Sequence, residues 1–380
     1  MDLTDHIGDR ARSVIDSAPE RAHGQHVHAD NNTDGVWEQL RATRWNPPAP
    51  AVVVDERRAT YVFALEQAEQ MFRAAATVGP ATQPLLVFYG LSQAGRAITA
   101  ASSSIGPGDG WKLSSHGISA KELAGGLSDV RIETGKPGGS GSYVRLSELL
   151  DSPVWGKASI PLNVLWDLLP ENQHSPLLGE DASRRTPLWI EYRNLYPENH
   201  PLASVPVVGF PSWVMDADNG RQALDNYLKA FPAAQGYHSF VRVDREPAAA
   251  PDFSRHNDGW GELVMHWQLP GGHAGTVAER AALLESLTRR YIGSMQFFPS
   301  VAPDDSRSLH PLMAWWTVLY ALSMLARYQP AEWASHINVD TSRHAVAIER
   351  LLKDAVRVVP SLVLETIGQV SAEPEPGARS

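Results

Sequence analysis

The chain has 380 residues, with 33 Lys and Arg against 43 Asp and Glu, giving a formal charge of −10 with no block of one sign. That balance excludes a general nucleic-acid-coating role, which needs a basic footprint. The absence of cysteine excludes disulfides, thiolate metal centres and cysteine nucleophiles.

Residues 1–33 are polar and read as a disordered tail. The start, Met1-Asp-Leu-Thr-Asp-His6, has no basic region followed by an apolar run, so a cytoplasmic location is expected rather than secretion. His23, His26 and His28 fall in this tail, where three imidazoles bind a metal only adventitiously, so no dedicated metal site and no cofactor is read.

The part from 34 to 125 reads as helical. Tyr61, Leu65, Ala68 and Phe72 recur at helical spacing with polar residues between them, and Val78-Gly79-Pro80 stops that helix. The next segment, Pro84-Leu-Leu-Val-Phe-Tyr-Gly-Leu-Ser-Gln-Ala-Gly-Arg96, has two readings. As a strand, turn and helix, Gly90-x-Ser92-x-Ala94 imitates a hydrolase nucleophile elbow. As one helix, it is a core element packed antiparallel on its predecessor and carrying Arg96 out of place. A guanidinium buried there needs a partner, and Glu66 or Glu69 is the expected one; the other structural reading is an exposed arginine at the helix end.

The middle part, 126–272, changes to strand character. Segments 130–133 and 142–146 alternate and read as a hairpin around Gly135-Lys-Pro-Gly-Gly-Ser-Gly141. That loop lacks the Gly-Lys-Ser/Thr ending of a phosphate cradle and reads as a mobile tip. Further strands are expected at 205–208, 237–243 and 263–269, with a short helix at 164–169.

The part from 273 to 370 returns to helix. Thr276-Val-Ala-Glu279 is a capping box, followed by an apolar stripe through Tyr291 and a stop at Gly293. Segment 310–328 is apolar nearly all round and too short for a bilayer span of ~20 residues, so it reads as a central helix. A last helix over 342–358 breaks or kinks at Pro360. Residues 371–380 read as a second disordered tail. The expected fold is α+β and mainly helical: terminal helices pack together beside a small antiparallel sheet, with 34–370 as one globular unit.

The chemistry then has few candidates. A serine hydrolase would use Ser92 with Asp216 and His238 or His256, but an amphipathic helix precedes the elbow where crossover units belong. A HEPN-like, metal-independent ribonuclease needs Arg, four to six residues, then His, on a helix. The matches Arg21/His26, Arg21/His28 and Arg193/His200 lie in the tail or run through Pro197. Arg96 and His116 would serve only by meeting in space. His116, beside Gly117 in Trp111-Lys-Leu-Ser-Ser-His-Gly117, suits phosphate binding, general-base work or helix capping.

Several strings occur together in order: Trp37-Glu-Gln-Leu40, Phe63-Ala-Leu-Glu-Gln-Ala68, Pro84 to Leu91, Trp111 to Gly117, Leu322 to Trp333, and Pro360-Ser-Leu-Val-Leu364. In this order they resemble the YaaC-like family of bacterial proteins, from Trp37 to Ile367 and most weakly in the middle part. The resemblance implies no activity, cofactor or catalytic residue to carry over. It implies an apolar segment at 90–96 without a required serine, which favours the helix reading. The expectation is therefore a binding or interaction protein without a covalent catalytic centre. Its ligand-facing residues would be Glu66, Gln67, Arg96, His116 and Arg327, and its partner a small molecule or a protein, with no membrane. A purely structural partner protein is the remaining alternative.

Overall fold

The computed structural model describes residues 33–179, 184–191, 199–240, 250–293, 295–301 and 307–372. The tail readings, apart from Thr33, Ser371 and Ala372, lie outside the described residues, as do Arg21, His23, His26, His28 and Arg193.

The chain opens with helix α1 (Thr33–Trp45), then α2 (Asp55–Ala75) and α3 (Gln83–Ala101). The elbow-like segment is thus a single helix. Its glycines are explained by packing: a methyl added at Gly90 would lie 2.9 Å from Phe72, and one at Gly95 would lie 2.7 Å from Trp316 and Leu146. α2 and α3 run antiparallel, because Arg57 in the first turns of α2 reaches Ala100 at the end of α3.

β1 (Ile118–Lys121), β2 (Arg131–Thr134), α4 (Ser142–Leu149), β3 (Ile160–Pro161) and α5 (Leu162–Asp167) follow. The expected hairpin is corrected here. β2 pairs antiparallel with β1 and β3, and residues 142–146 are helical. Five alternating residues also fit a helix that buries Tyr143, Val144, Leu146 and Ser147, and tertiary packing overrides the short pattern. The glycine loop is also no free tip. Gly135 N donates to Gly117 O at 2.8 Å and Tyr143 N to His116 O at 2.9 Å, zipping residues 135–143 to 114–117. An added methyl at Gly141 would stand 2.2 Å from Gly117 Cα. Gly141→Ala is therefore expected to destabilise the protein by about 3 kcal/mol, as overpacking against backbone does. An unchanged urea midpoint would refute that account.

A second, six-stranded antiparallel sheet has the order β6-β7-β5-β4-β9-β8. In chain order these strands are β4 (Leu188–Ile190), β5 (Leu202–Phe210), β6 (Ser254–Arg255), β7 (Gly261–Gln268), β8 (Arg289–Arg290) and β9 (Gln296–Phe298). Of the expected 237–243 strand, Ser239 makes an isolated bridge to His266, and 241–243 lie outside the described residues. Helices α6 (Ser212–Met215), α7 (Gly220–Leu228), α8 (Pro232–Gln235) and α9 (Val277–Leu287) accompany this sheet. The capping box is formed at α9, with Thr276 Oγ1 accepting from Glu279 N at 3.2 Å and Glu279 Oε2 accepting from Thr276 N at 2.7 Å. The helix stops at Leu287, however, and Arg289–Arg290 turns into the sheet edge, so Tyr291 is not on its stripe.

The chain ends in α10 (Pro311–Tyr328), α11 (Pro330–His336) and α12 (Ala345–Ser371). α12 continues through Pro360 rather than breaking there. A proline inside a helix costs about 3 kcal/mol. Burial of Ile348, Leu351, Leu352, Val358, Val359, Leu362, Val363 and Ile367 outweighs it at about 1.5–3 kcal/mol each. The fold is mixed α+β and helix-dominated, with one hydrophobic cluster among the helices and a second over the large sheet. No helix among the described residues is long and apolar enough to cross a membrane.

Candidate functional site

The carbonyls at the end of a helix have no partners within it, and α3 solves this with a side chain from its neighbour. Arg57, buried to 1% exposure, donates from Nε to Ala100 O at 2.7 Å and from Nη2 to Ser102 O at 2.6 Å. Its Nη1 donates to Ile105 O at 3.0 Å and Gly106 O at 3.2 Å. Burial lowers the pKa of this guanidinium from its ordinary value. The loop after α3 is fixed in this way. Ser103 then ties it to the end of α12, its amide donating to Val370 O at 2.8 Å and its hydroxyl to Ala372 O at 2.7 Å.

That loop is one wall of a cleft of about 570 Å³, a volume suited to a small molecule. The other walls are Leu149 and Leu150 at the end of α4, Gln369, Val370 and Ala372 at the end of α12, His310 and Pro311 at the start of α10, and Thr288, Arg289 and Arg290. His310 caps α10, its Nδ1 accepting from Leu312 N at 3.2 Å. Burial, and then the nearby Arg289 charge, push its pKa down to about 3, so the imidazole is neutral.

Arg289 is the unusual member. It is half-buried, burial lowers its pKa, and its guanidinium makes no hydrogen bond or contact ion pair among the described residues. Asp151 acts on it only at a distance, and that carboxylate lies 3.9 Å from Arg307. The ends of α3, α4 and α12 bring partial negative charge to the cleft. Much of it is already occupied, by Arg57 on α3 and by Ser103 on α12, while the start of α10 adds partial positive charge. The open donors on Arg289 are therefore what this wall of the cleft presents: a positive charge with free hydrogen-bond donors.

The residues singled out in the sequence lie elsewhere. Arg96 is exposed, and the carboxylates expected for it are committed to other arginines. Glu66 pairs with Arg44 at 2.9 Å, and Glu69 with Arg73 at 2.8 Å and with Arg41. The buried arginine that locks α2 to α3 is Arg57. His116 and Arg327 share a neighbourhood: Arg327 Nη1 donates to Tyr89 Oη at 2.7 Å, and the His116 ring lies 6.0 Å from Phe88 and 5.7 Å from Tyr320. Burial, then the Arg327 charge, lower the His116 pKa. Tyr89, Ser92 and Arg96 share one face of α3, with Arg96 about 10 Å along the axis from Tyr89. Glu66 belongs instead to the α1–α2 seam, and Gln67 is exposed. Ser92 sits mid-helix without a strained turn, Asp216 pairs with Arg255, and His256 faces Glu262 at 3.2 Å. His238 lies beside His266, and His200 bridges to Gly275 in extended backbone. No group of metal-ligating side chains occurs among the described residues.

In the sequence Arg289 and Arg290 continue an apparent helix, which hides their place at a sheet edge. The available signal was a β-branched Thr288 followed by paired arginines just before a stop. His310-Pro311 was also legible as a cap followed by proline at the first helical position.

The YaaC-like protein family model matches residues 39–367, most of the chain. The chain belongs to the YaaC-like family. Arg57, Ser102 to Ser104, Leu149, Leu150, Arg289, Arg290 and His310 of this YaaC-like chain lie inside the matched region, and Gln369 to Ala372 just beyond it. No curated protein and no solved structure matches it.

Proposed function

We propose that this YaaC-like chain is a bacterial, cytoplasmic binding protein that takes a small anionic molecule in the cleft between β8, α10 and α12, without a covalent step. The observation that carries the reading is Arg289, a half-buried guanidinium with open donors on the wall of a ligand-sized cavity. Those donors line the cavity, so a ligand entering it meets them directly and exchanges their water for charge-assisted hydrogen bonds. Arg290 at the exposed rim adds attraction for an approaching anion.

A second reading keeps the polar face of α3, where Arg327 bonds Tyr89, Arg96 lies on the same side and His116 packs near by on Phe88 and Tyr320, as a partner-binding surface. One experiment separates the two: thermal-shift screening of the full chain against small anionic metabolites, repeated with Arg289→Met and with an Arg96→Ala/His116→Ala variant. Stabilisation lost only in Arg289→Met supports the cleft. Loss only in the double variant supports the α3 face. No stabilisation of the unsubstituted chain by any anion overturns the cleft reading.

A further inference from the structure

Resting on the anion-binding reading of the cleft, we infer that its ligand is a phosphate monoester of a compact organic alcohol rather than a carboxylate. The argument begins with where the donors stand. Arg289 projects from β8, Ser104 follows α3, and Gln369 lies near the end of α12, so donors come from three separate walls. A carboxylate offers two oxygens in one plane, and a single guanidinium fork saturates both. Donors on the other walls would then face nothing. A phosphoryl group spreads three oxygens tetrahedrally and uses donors from every wall.

The residues themselves are poised for this. Ser104 is exposed, and its hydroxyl is engaged only with the Ser102 hydroxyl, at 2.9 Å, so it can turn to donate outward. Gln369 lies beside the His310 ring, whose N–H suits the amide carbonyl, leaving the NH2 end for a ligand.

Charge points the same way. Arg289 and Arg290 are consecutive strand residues, so their side chains alternate, one into the cleft and one at its mouth. A doubly charged group held by Arg289 also gains more from the longer-range field of Arg290 than a singly charged carboxylate does. The competing carboxylate beside Arg290 is Glu365, which accepts from Gly293 N at 2.9 Å and is thereby held to the backbone. Neutral His310 leaves the deep wall without a further charge. Leu149, Leu150 and Pro311 supply apolar contact for the organic body.

The test is calorimetric titration of the full chain with phenyl phosphate and, separately, with benzoate. Phenyl phosphate is expected to bind at least tenfold more tightly. Arg289→Met should weaken phenyl phosphate by tenfold or more. Ser104→Ala, on an exposed loop and expected to fold normally, should weaken phenyl phosphate several-fold and leave benzoate unchanged. Equal affinity for the two probes, or an equal effect of Ser104→Ala on both, overturns the phosphate assignment. If benzoate binding still depends on Arg289, the anion-binding reading survives that result. If neither probe binds the unsubstituted chain, both readings fail together.

Discussion

Replacing Arg57 by methionine is expected to cost about 3–5 kcal/mol, the range for removing one side of a buried charged arrangement. Methionine fills much of the volume but donates nothing. It leaves the carbonyls of Ala100, Ser102, Ile105 and Gly106 without the bonds that end α3. Each bond from a charged donor is worth about 1.5–3 kcal/mol in isolation, but the four share one side chain and do not add. Arg57→Lys should recover only part of the loss, because an ammonium cannot reproduce the planar fork. Urea unfolding followed by circular dichroism measures the effect, and a loss below 1 kcal/mol would refute the capping role. The loop at residues 102–104 should also lose order. Phenyl phosphate affinity should therefore fall in Arg57→Met even where the protein remains folded.

The second large effect is a pH dependence centred on Glu171. Burial raises this carboxyl from its usual 4.5 to about 7, against the opposing hydrogen bonds from Tyr291 Oη at 2.7 and 2.8 Å. The Trp315 indole donates in turn to Tyr291 Oη at 3.0 Å, joining α10 to the segment after β8. Between those two pKa values the folded chain holds a proton that the unfolded chain releases, so unfolding is favoured as pH rises. The contribution is full below about 4.5 and is lost as pH passes through about 7. At ~1.4 kcal/mol per pKa unit, the swing is on the order of 3 kcal/mol. Glu171→Gln keeps the shape and an acceptor for Tyr291 but cannot ionise. Its stability relative to the parent chain should therefore grow between pH 4.5 and 8 by about that amount. Parallel stability profiles for the two proteins would show that Glu171 is ionised in the fold throughout.

Much of the helical framework is legible in the sequence because it is locally encoded. Thr276 and Glu279 announce α9 through their own capping bonds, and the unbroken apolar run of α10 has no use except in a core. What stays illegible depends on distant partners. Arg57 stands between Glu56 and Arg58 and reads like a solvated position, since its acceptors begin 43 residues further on. Arg289 and Arg290 become a strand only by pairing with Phe297 and Gln296 after a turn, so the sheet edge, and with it the cleft wall, follows from a register that no local pattern states. The apparent elbow misleads for the opposite reason. Gly90 and Gly95 carry a real constraint, but it is imposed by Phe72, Trp316 and Leu146 rather than by a turn.

Ser103 bonds across a separation of 267 residues to Val370. Contacts of that span pay a loop-closure entropy that local ones do not, so they close late. At roughly 5–20 residues per second, translation leaves the loop after α3 waiting on the order of tens of seconds for its partner on α12. Arg57 is made before that loop, and the bonds by which it caps α3 need no residue beyond Gly106. The cleft is complete only once α12 is in place, so anything that enters it meets the finished protein.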